Sequence, residues 1–280
     1  MNVNMTAMHS RMNVTNKSRI QSRYPISNDT LMVYTPSVFA EEAHDSRSDR
    51  YTHIPTIDVI ERLREEGFFP FFACQSKSLN EERRAFTKHM LRFRREDAVL
   101  DQGEFFEIVL INSHDGTSSY QMMAGVFRLV CSNGMVAGDI LQAIKVPHRG
   151  NILGGVVDGA YELTHGFDRV ATSREVMKSI ELTGPEQVAF GKAALSLRYE
   201  ENKSPITPSQ VITPNRWQDN KKDLWSTFNV VQENLTKGGQ RGVAGTGRRI
   251  RTREVKGIDS DIKLNKSLWL LADEMARLKA

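Results

Sequence analysis

The sequence predicts an α+β fold, in which a helix is followed by an antiparallel β-meander packed on long helices, with a C-terminal helical part. Apolar residues recur at helical spacing over residues 56–66, and apolar runs separated by turn sequences fill residues 68–148. After Gly150 the apolar spacing becomes helical again. Hydrophobic residues make up 39% of the 280 residues and charged residues 26%, which is typical of a folded chain with a sizeable core.

The N-terminal part is polar before the first strong pattern begins. Residues 1–30 lack the apolar segment of a signal peptide and are predicted to form a flexible arm. Residues 31–34 are predicted to form a short strand, and a helix is expected to start near Pro36. Thr56 is a suitable N-cap for the next helix, and Gly67 a suitable end for it.

The central part reads as four or five antiparallel strands. The strand-like runs are FFPFFACQS, FTKHMLRFRR, FFEIVLINS, SYQMMAGVFRLVCS and MVAGDILQAIKVPH. Asp115 and Gly116 form a hairpin signal, and Ser132, Asn133 and Gly134 indicate another tight turn.

The remaining chain is predicted to be mainly helical. One long helix after Gly150 is expected to bend near Gly166, and a second begins with Pro185 near its first turn. A third helix is predicted to present an apolar face made of Trp217, Leu224, Trp225, Phe228 and Val231. The predicted divisions are an arm over 1–30, a core domain over 31–235, a mobile basic Gly/Arg-rich loop over 236–257 and a C-terminal helix over 258–280.

Positive charge is concentrated in two segments, although the net charge of the chain is only +4. Residues 83–95 contain six basic residues and no acid, and residues 237–256 contain seven basic residues and one acid. Phosphate binding depends on such local potential, so both segments are candidate nucleic-acid contacts. The candidate residues are Lys88, Arg92, Arg94, Arg95, Arg241, Arg248, Arg249, Arg251 and Arg253.

The first basic segment shows the alternation of a strand. Lys88, Arg92 and Arg94 share one parity, and His89 and its apolar neighbours share the other. One face is therefore expected to enter the core while the other presents a row of cations to a phosphate backbone. A solvated face balanced by acids elsewhere is the alternative. Phe86 and Phe93 could stack on bases, although core burial is favoured for both.

Patterns for catalysis or metal binding are weak. No paired CxxC, GxSxG or complete phosphate-loop motif is present, and Cys74 and Cys131 lie in apolar runs typical of buried thiols. Beyond the predicted N-terminal arm, six histidines are scattered along the chain and are expected to be structural or exposed; they are His44, His53, His89, His114, His148 and His165. A nuclease would need acids near the basic strand, and the nearest candidates are Asp97, Asp101, Glu104 and Glu107. A surface role is favoured for these four acids. The sequence thus predicts no enzyme, no metal and no cofactor.

Three runs resemble a known family. DRYTHIPTIDVIERLREEGFFP, FTKHMLRFR and GVFRLVCSNGMVAGD are similar to the plasmid- and phage-borne YubP/YfjQ-like family of unknown function, over about residues 31–235. The resemblance implies a bacterial mobile-element setting. The order of helix, meander and long helix is more distantly similar to the Rad fifty-two-like single-strand annealing proteins, which assemble into rings.

Two functions remain open at this point. The first is a cytoplasmic protein that binds and anneals single-stranded DNA in recombination, as a homo-oligomer, since a long strand needs many tandem sites. The second is a partner-binding regulator of a mobile element, such as an anti-restriction or replication accessory factor, whose basic faces meet an acidic protein. No run of about 18 apolar residues is present, so no membrane span is expected.

Overall fold

A computed structural model describes residues 18–45, 52–78, 80–95, 104–128, 134–136, 143–200 and 202–279. Within these residues, seven strands form one antiparallel sheet, which confirms the predicted meander. The strands are β1 (Arg19–Gln21), β2 (Phe69–Gln75), β3 (His89–Arg94), β4 (Glu104–Asn112), β5 (Tyr120–Arg128), β6 (Gly134–Val136) and β7 (Ile144–Val146). They lie side by side in the order β1 to β6, and β7 pairs with β5 on the same edge as β6.

Helices surround this sheet in the described part of the chain. They are α1 (Asn28–Tyr34), α2 (Thr56–Glu65), α3 (Glu81–Arg84), α4 (Ile152–His165), α5 (Phe167–Ser179), α6 (Gly184–Ser196), α7 (Pro208–Val211), α8 (Leu224–Lys237) and α9 (Ile258–Lys279). Two further strands, β8 (Arg241–Val243) and β9 (Arg249–Arg251), pair as a separate hairpin. Short 3-10 helices occupy Pro36–Phe39 and Trp217–Asp219. No helix of the described residues is long and apolar enough to cross a membrane.

Several local signals have the predicted outcome. Gly67 has a φ of +83°, which favours glycine, and the chain leaves α2 there. Gly116, with a φ of +77°, forms the turn between β4 and β5. The long helix breaks at Gly166 into α4 and α5, and α6 has a proline in its first turn together with a capping box. Cys74 is a buried free thiol as expected, and Cys131 lies outside the described residues.

Other predictions need correction. Residues 31–34 are helical instead of extended, because Ser27 caps α1 and Leu31 is fully buried. The arm predicted over residues 1–30 is wrong for its described part, since Arg19–Gln21 add a strand to the sheet edge and α1 begins at Asn28; residues 1–17 lie outside the described residues. Thr56 is the first residue of α2 instead of its cap, and Pro55 holds the cap position. The last predicted strand run contains two strands, β6 and β7, while Ser132 and Asn133 lie outside the described residues.

The sheet is buried on both faces. The larger core joins one face to helices α2, α4, α8 and α9, through residues such as Ile60, Val156, Phe228 and Trp269. On the other face, a smaller cluster centred on Phe72, Met90 and Phe127 packs against Ile258 and Ile262 at the start of α9. The C-terminal helix therefore contributes to both cores.

A buried polar cluster fixes α2 to one end of the sheet. The Thr56 hydroxyl lies 2.9 Å from His89 Nε2, 3.1 Å from His114 Nε2 and 3.2 Å from the Tyr120 hydroxyl. Asn112 Nδ2 donates to the same hydroxyl at 3.1 Å. All five residues are fully buried, so this hydroxyl satisfies polar groups that would otherwise be costly to bury.

Four of the histidines that are scattered in the sequence, His53, His89, His114 and His148, converge at this cluster. His148 Nε2 lies 2.9 Å from Asn112 Oδ1, and the rings of His53 and His114 are 4.7 Å apart. Burial lowers the pKa of His89 to about 4 and that of His114 to about 2, and it also lowers the pKa of His148. Among the described residues, no group of three or more His, Cys, Asp or Glu side chains is placed to hold a metal ion.

Acid is expected to destabilise the fold through this cluster. The pKa of His89 is about 4 in the folded state and about 6.5 in the unfolded state, so between these values only the unfolded state binds the proton. The free energy of unfolding is therefore highest above about pH 6.5 and decreases as the pH falls towards 4. Below pH 6.5, each histidine held neutral should lower the free energy of unfolding by about 1.4 kcal/mol per pH unit. The free energy of unfolding of wild type and of His89→Gln is measured by urea denaturation between about pH 7 and 5. Subtracting the variant's value from that of wild type at each pH removes the contribution of the other titrating groups.

His165→Gln is the matched control, because His165 is exposed at the end of α4. We expect His89→Gln to be less stable at neutral pH but less pH-dependent, and His165→Gln to retain the wild-type slope. An identical slope in all three proteins would contradict the assignment.

Candidate nucleic-acid interface

The basic strand β3 does not present its arginines to solvent. Arg92 and Arg94 are 3% and 6% exposed, on the sheet face covered by the start of α9. Arg92 Nε lies 3.0 Å from Glu107 Oε2, and Arg94 Nη1 lies 3.4 Å from Glu107 Oε1. The predicted alternation is therefore present, but the expectation of an exposed cationic row is wrong for these two residues.

Phenylalanine rings enclose both guanidinium groups. Arg92 lies 4.2 Å from the ring centre of Phe72 and 4.0 Å from that of Phe127. Arg94 lies 3.7 Å from Phe71 and 3.8 Å from Phe105. The rings provide cation–π contacts where water would otherwise solvate the charge.

A β-bulge makes this arrangement possible. The register between β2 and β3 shifts between Pro70 and Phe72, which leaves Phe71 as the extra residue. Side chains normally alternate along a strand, but here Phe71 and Phe72 each cover an arginine on the same face.

The other cations of the first basic segment lie at its ends. Lys88 Nζ is 2.8 Å from Asp259 Oδ2 in the first turn of α9, and its side chain is only 14% exposed. Arg95 is exposed just after β3. Phe93 is fully buried in the larger core, as favoured from the sequence.

Of the acids considered for a nuclease, the two that the structure describes are held by different partners. Glu104 lies 2.5 Å from Arg174 Nε and accepts from Trp225 Nε1 at 3.1 Å, while Glu107 binds the arginines of β3. Both are buried, so the favoured surface role is wrong for them. Asp97 and Asp101 lie outside the described residues.

The second basic segment forms a defined hairpin instead of an irregular loop. Arg241 pairs with Arg251, and Val243 pairs with Arg249, so these side chains share one face. Gly242 and Ile250 pair on the opposite face. Gly247, with a φ of +78°, closes the turn by donating its N–H to Ala244 O at 2.8 Å. All five predicted arginines of this segment are exposed.

The hairpin is docked on the segment between α6 and α7. Val243 N donates to Pro205 O at 2.8 Å, and Gln210 Nε2 donates to Arg241 O at 2.8 Å. A Cβ built on Gly242 would lie 2.2 Å from Pro205 O, so only glycine permits this approach. Long-range contacts of this kind are invisible in the local sequence, which explains why an irregular loop was predicted.

Open grooves flank the hairpin and contain most of its arginines. One, of about 890 Å³, is lined by Arg241, Arg249 and Arg251 together with residues 204–207. The other, of about 490 Å³, is lined by Arg248, Arg251, Arg253, Arg198 and Tyr199. Arg198 and Tyr199 are not among the residues predicted from the sequence, because they follow the end of α6, where no cluster of basic residues marks them.

These arginines have the properties of an anion-binding surface. With the residues that the structure describes, none of Arg198, Arg241, Arg248, Arg249, Arg251 and Arg253 forms an ion pair. Arg198 Nη2 donates to Arg253 O, while Arg198 Nη1 is buried without a hydrogen-bond partner. Guanidinium groups with free donors, clustered on one surface, favour binding of phosphate or carboxylate oxygens. We refer to these six residues as the arginine surface.

The fold and this surface define an α+β protein that exposes a cationic hairpin beside a helix-covered sheet. The chain belongs to the family described as "Domain of unknown function (DUF932)", whose model matches residues 43–269. It is 48% identical over 271 residues to the UPF0380 proteins YafZ and YfjQ of Escherichia coli strain K12, covering 97% of this chain and 98% of each relative. No solved structure matches the chain. The resemblance to YfjQ is confirmed, and the match extends beyond residue 235 through the hairpin and most of α9.

Removing Glu107 is expected to destabilise the protein strongly. Glu107→Ala leaves two buried guanidinium groups without their carboxylate, which should cost about 3–5 kcal/mol. The control is Glu200→Ala, because Glu200 forms an exposed pair with Lys203 and should contribute less than about 1 kcal/mol. Equal urea midpoints for the two variants would show that the buried cluster does not stabilise the fold.

Adding a methyl group to the hairpin is expected to undock it. Gly242→Ala places a Cβ against the Pro205 carbonyl, whereas Gly245→Ala has open space around it. We expect faster amide hydrogen exchange at Val243 N–H in Gly242→Ala, because its bond to Pro205 O is lost, and wild-type exchange in Gly245→Ala. Unchanged protection in Gly242→Ala would refute the docked geometry.

Proposed function

We propose that this protein binds single-stranded DNA through the arginine surface and promotes strand annealing. The observation that supports the proposal is the cluster of six arginines without ion pairs among the described residues, beside grooves that a backbone can occupy. Phosphates spaced along a strand match a row of exposed guanidinium groups better than a single carboxylate ligand does.

The proposed contacts differ from those predicted for β3. Arg92 and Arg94 already bind Glu107 and are enclosed by rings, so they stabilise the fold and contact no phosphate in this conformation. Lys88 is largely covered and paired with Asp259. The proposed backbone contacts are therefore the hairpin arginines and Arg198.

Annealing places a modest chemical demand on such a protein. The backbone must be neutralised while the bases stay available for pairing, and neither a nucleophile nor a metal is needed. An oligomer would place several arginine surfaces along one strand. The order of α2, the meander and α4, from which the distant similarity to the Rad fifty-two-like annealing proteins was inferred in the sequence, also supports the proposal.

The alternative is a regulator that binds an acidic protein through the same surface. Carboxylates satisfy guanidinium groups as phosphates do, so the arginine surface by itself is compatible with both partners. The DNA proposal is favoured because residues 239–253 contain arginines in extended pairing, spread over two grooves instead of converging on one point.

Arg249→Gln/Arg251→Gln tests the proposal by fluorescence anisotropy with labelled single- and double-stranded oligonucleotides. Wild type should bind the single strand more tightly, and its affinity should fall steeply between about 50 and 200 mM salt. Loss of two phosphate contacts should weaken binding about tenfold or more and reduce the log–log salt slope by about 1.4, at roughly 0.7 per phosphate.

Arg277→Gln is the matched control, because Arg277 is exposed on α9 and already paired with Asp273 and Glu274. It should bind like wild type. Equal affinities of the double variant and this control would refute the arginine surface as the DNA site. Absence of DNA binding at low salt, with binding to an acidic protein that the double variant loses, would favour the regulator.

A further inference from the structure

The most exposed large aromatic side chain in the described residues is a tryptophan. Trp217 is 88% exposed, whereas Trp225 is 3% exposed and Trp269 is fully buried. The prediction that Trp217 lies on the apolar face of a helix is wrong. Helix α8 begins only at Leu224, after the Asp223 cap, and Trp217 lies in a separate 3-10 turn.

The backbone beneath Trp217 is held firmly. Arg216 forms ion pairs with Asp219 at 2.8 Å and with Glu233 of α8 at 2.5 Å. Asp219 is in turn bound by Arg128 of β5 at 3.0 Å, and Asn220 N donates to Trp217 O at 3.0 Å. The indole is thus presented on a preorganised turn, so little ordering of the turn is required when a partner binds.

Free cations lie next to this indole in the sequence. Lys221 and Lys222 are exposed and form no ion pair with a described residue. The neighbouring Arg128 and Arg216, in contrast, form ion pairs with the carboxylates that fix the turn. An exposed ring followed in the sequence by two lysines that pair with no described acid is a combination that suits non-specific single-strand binding, because a ring can stack on a base and cations can meet phosphates.

One buried side chain connects this turn to the arginine surface. Asn234 of α8 is 1% exposed, and its Oδ1 accepts from Asn215 Nδ2 at 2.8 Å and from Gln240 Nε2 at 2.7 Å. Asn215 precedes Trp217 by two residues, and Gln240 directly precedes Arg241. Two residues reach at most about 7 Å, so Trp217 lies close to the segment that Asn234 fixes to the base of the hairpin.

We infer that Trp217 is a stacking platform for an unpaired nucleobase on the strand held by the arginine surface. The inference rests on the proposed function and adds that the protein contacts a base of the strand as well as its phosphates. The arginine surface contacts the backbone, and Trp217 contacts a base through its π-face. Because every base has such a face, this contact distinguishes single strands from duplexes without reading sequence.

The test compares an oligothymidylate with an abasic strand of the same length, which retains the phosphates. Stacking of one base should make wild type bind the oligothymidylate about 5- to 100-fold more tightly than the abasic strand. In Trp217→Ala this ratio should fall towards one with an unchanged salt slope, and Trp217→Phe should retain most of it. Trp217 is exposed, so these substitutions are expected to leave the fold intact.

A second measurement is intrinsic fluorescence of the full chain. Trp225 and Trp269 are buried, so quenching on addition of oligothymidylate should come from Trp217 and disappear in Trp217→Phe. Arg249→Gln/Arg251→Gln should weaken both strands equally and preserve the ratio. If wild type binds neither strand, both the proposed function and the stacking role fail. If both strands bind and Trp217→Ala keeps the wild-type ratio, the stacking role alone fails.

Discussion

A sheet covered on both faces must neutralise its charged side chains inside the protein. Here that requirement is met by Glu107 of β4, which binds Arg92 and Arg94 of β3 between four phenylalanine rings. Burying two guanidinium groups is costly without such partners, so this pairing determines how β2, β3 and β4 lie against one another. It also requires the bulge that turns Phe71 and Phe72 to one face.

The covered face explains the position of the C-terminal helix. Ile258 and Ile262 pack on the sheet face that carries Arg92 and Arg94. Leu268 and Trp269 of the same helix enter the larger core. Three residues connect the buried helix α8 to the hairpin and six connect the hairpin to α9, so both of its ends are attached to the core. A segment that is rich in glycine and arginine thereby becomes a fixed surface.

Arginine consequently has two different roles in one chain. On β3 it is enclosed, paired and structural; on the hairpin it is exposed and without an acidic partner in the described residues. The relatives YafZ and YfjQ align along nearly the whole chain, hairpin included, and the family description assigns no function. The proposal of single-strand binding is accordingly based on the chemistry of this surface and of Trp217.

Local stereochemistry allowed the sequence by itself to determine the order of elements from α2 through the meander to α6. Period-two alternation identified β3, positive-φ glycines ended α2 and formed the turn after β4, and Gly166 divided the long helix. Each of these signals acts over a few residues, and each has the predicted outcome in the structure.

Tertiary structure alone decided what covers each face and which distant groups meet. Alternation showed that β3 has two faces, but only α9, more than a hundred residues later, determined that the arginine face is buried. The hairpin depends on the Pro205 carbonyl, the histidine cluster depends on the Thr56 hydroxyl, and the exposure of Trp217 depends on Asp223 starting α8 after it. These outcomes arise from contacts between segments far apart in the chain, for which a single sequence contains no local signal.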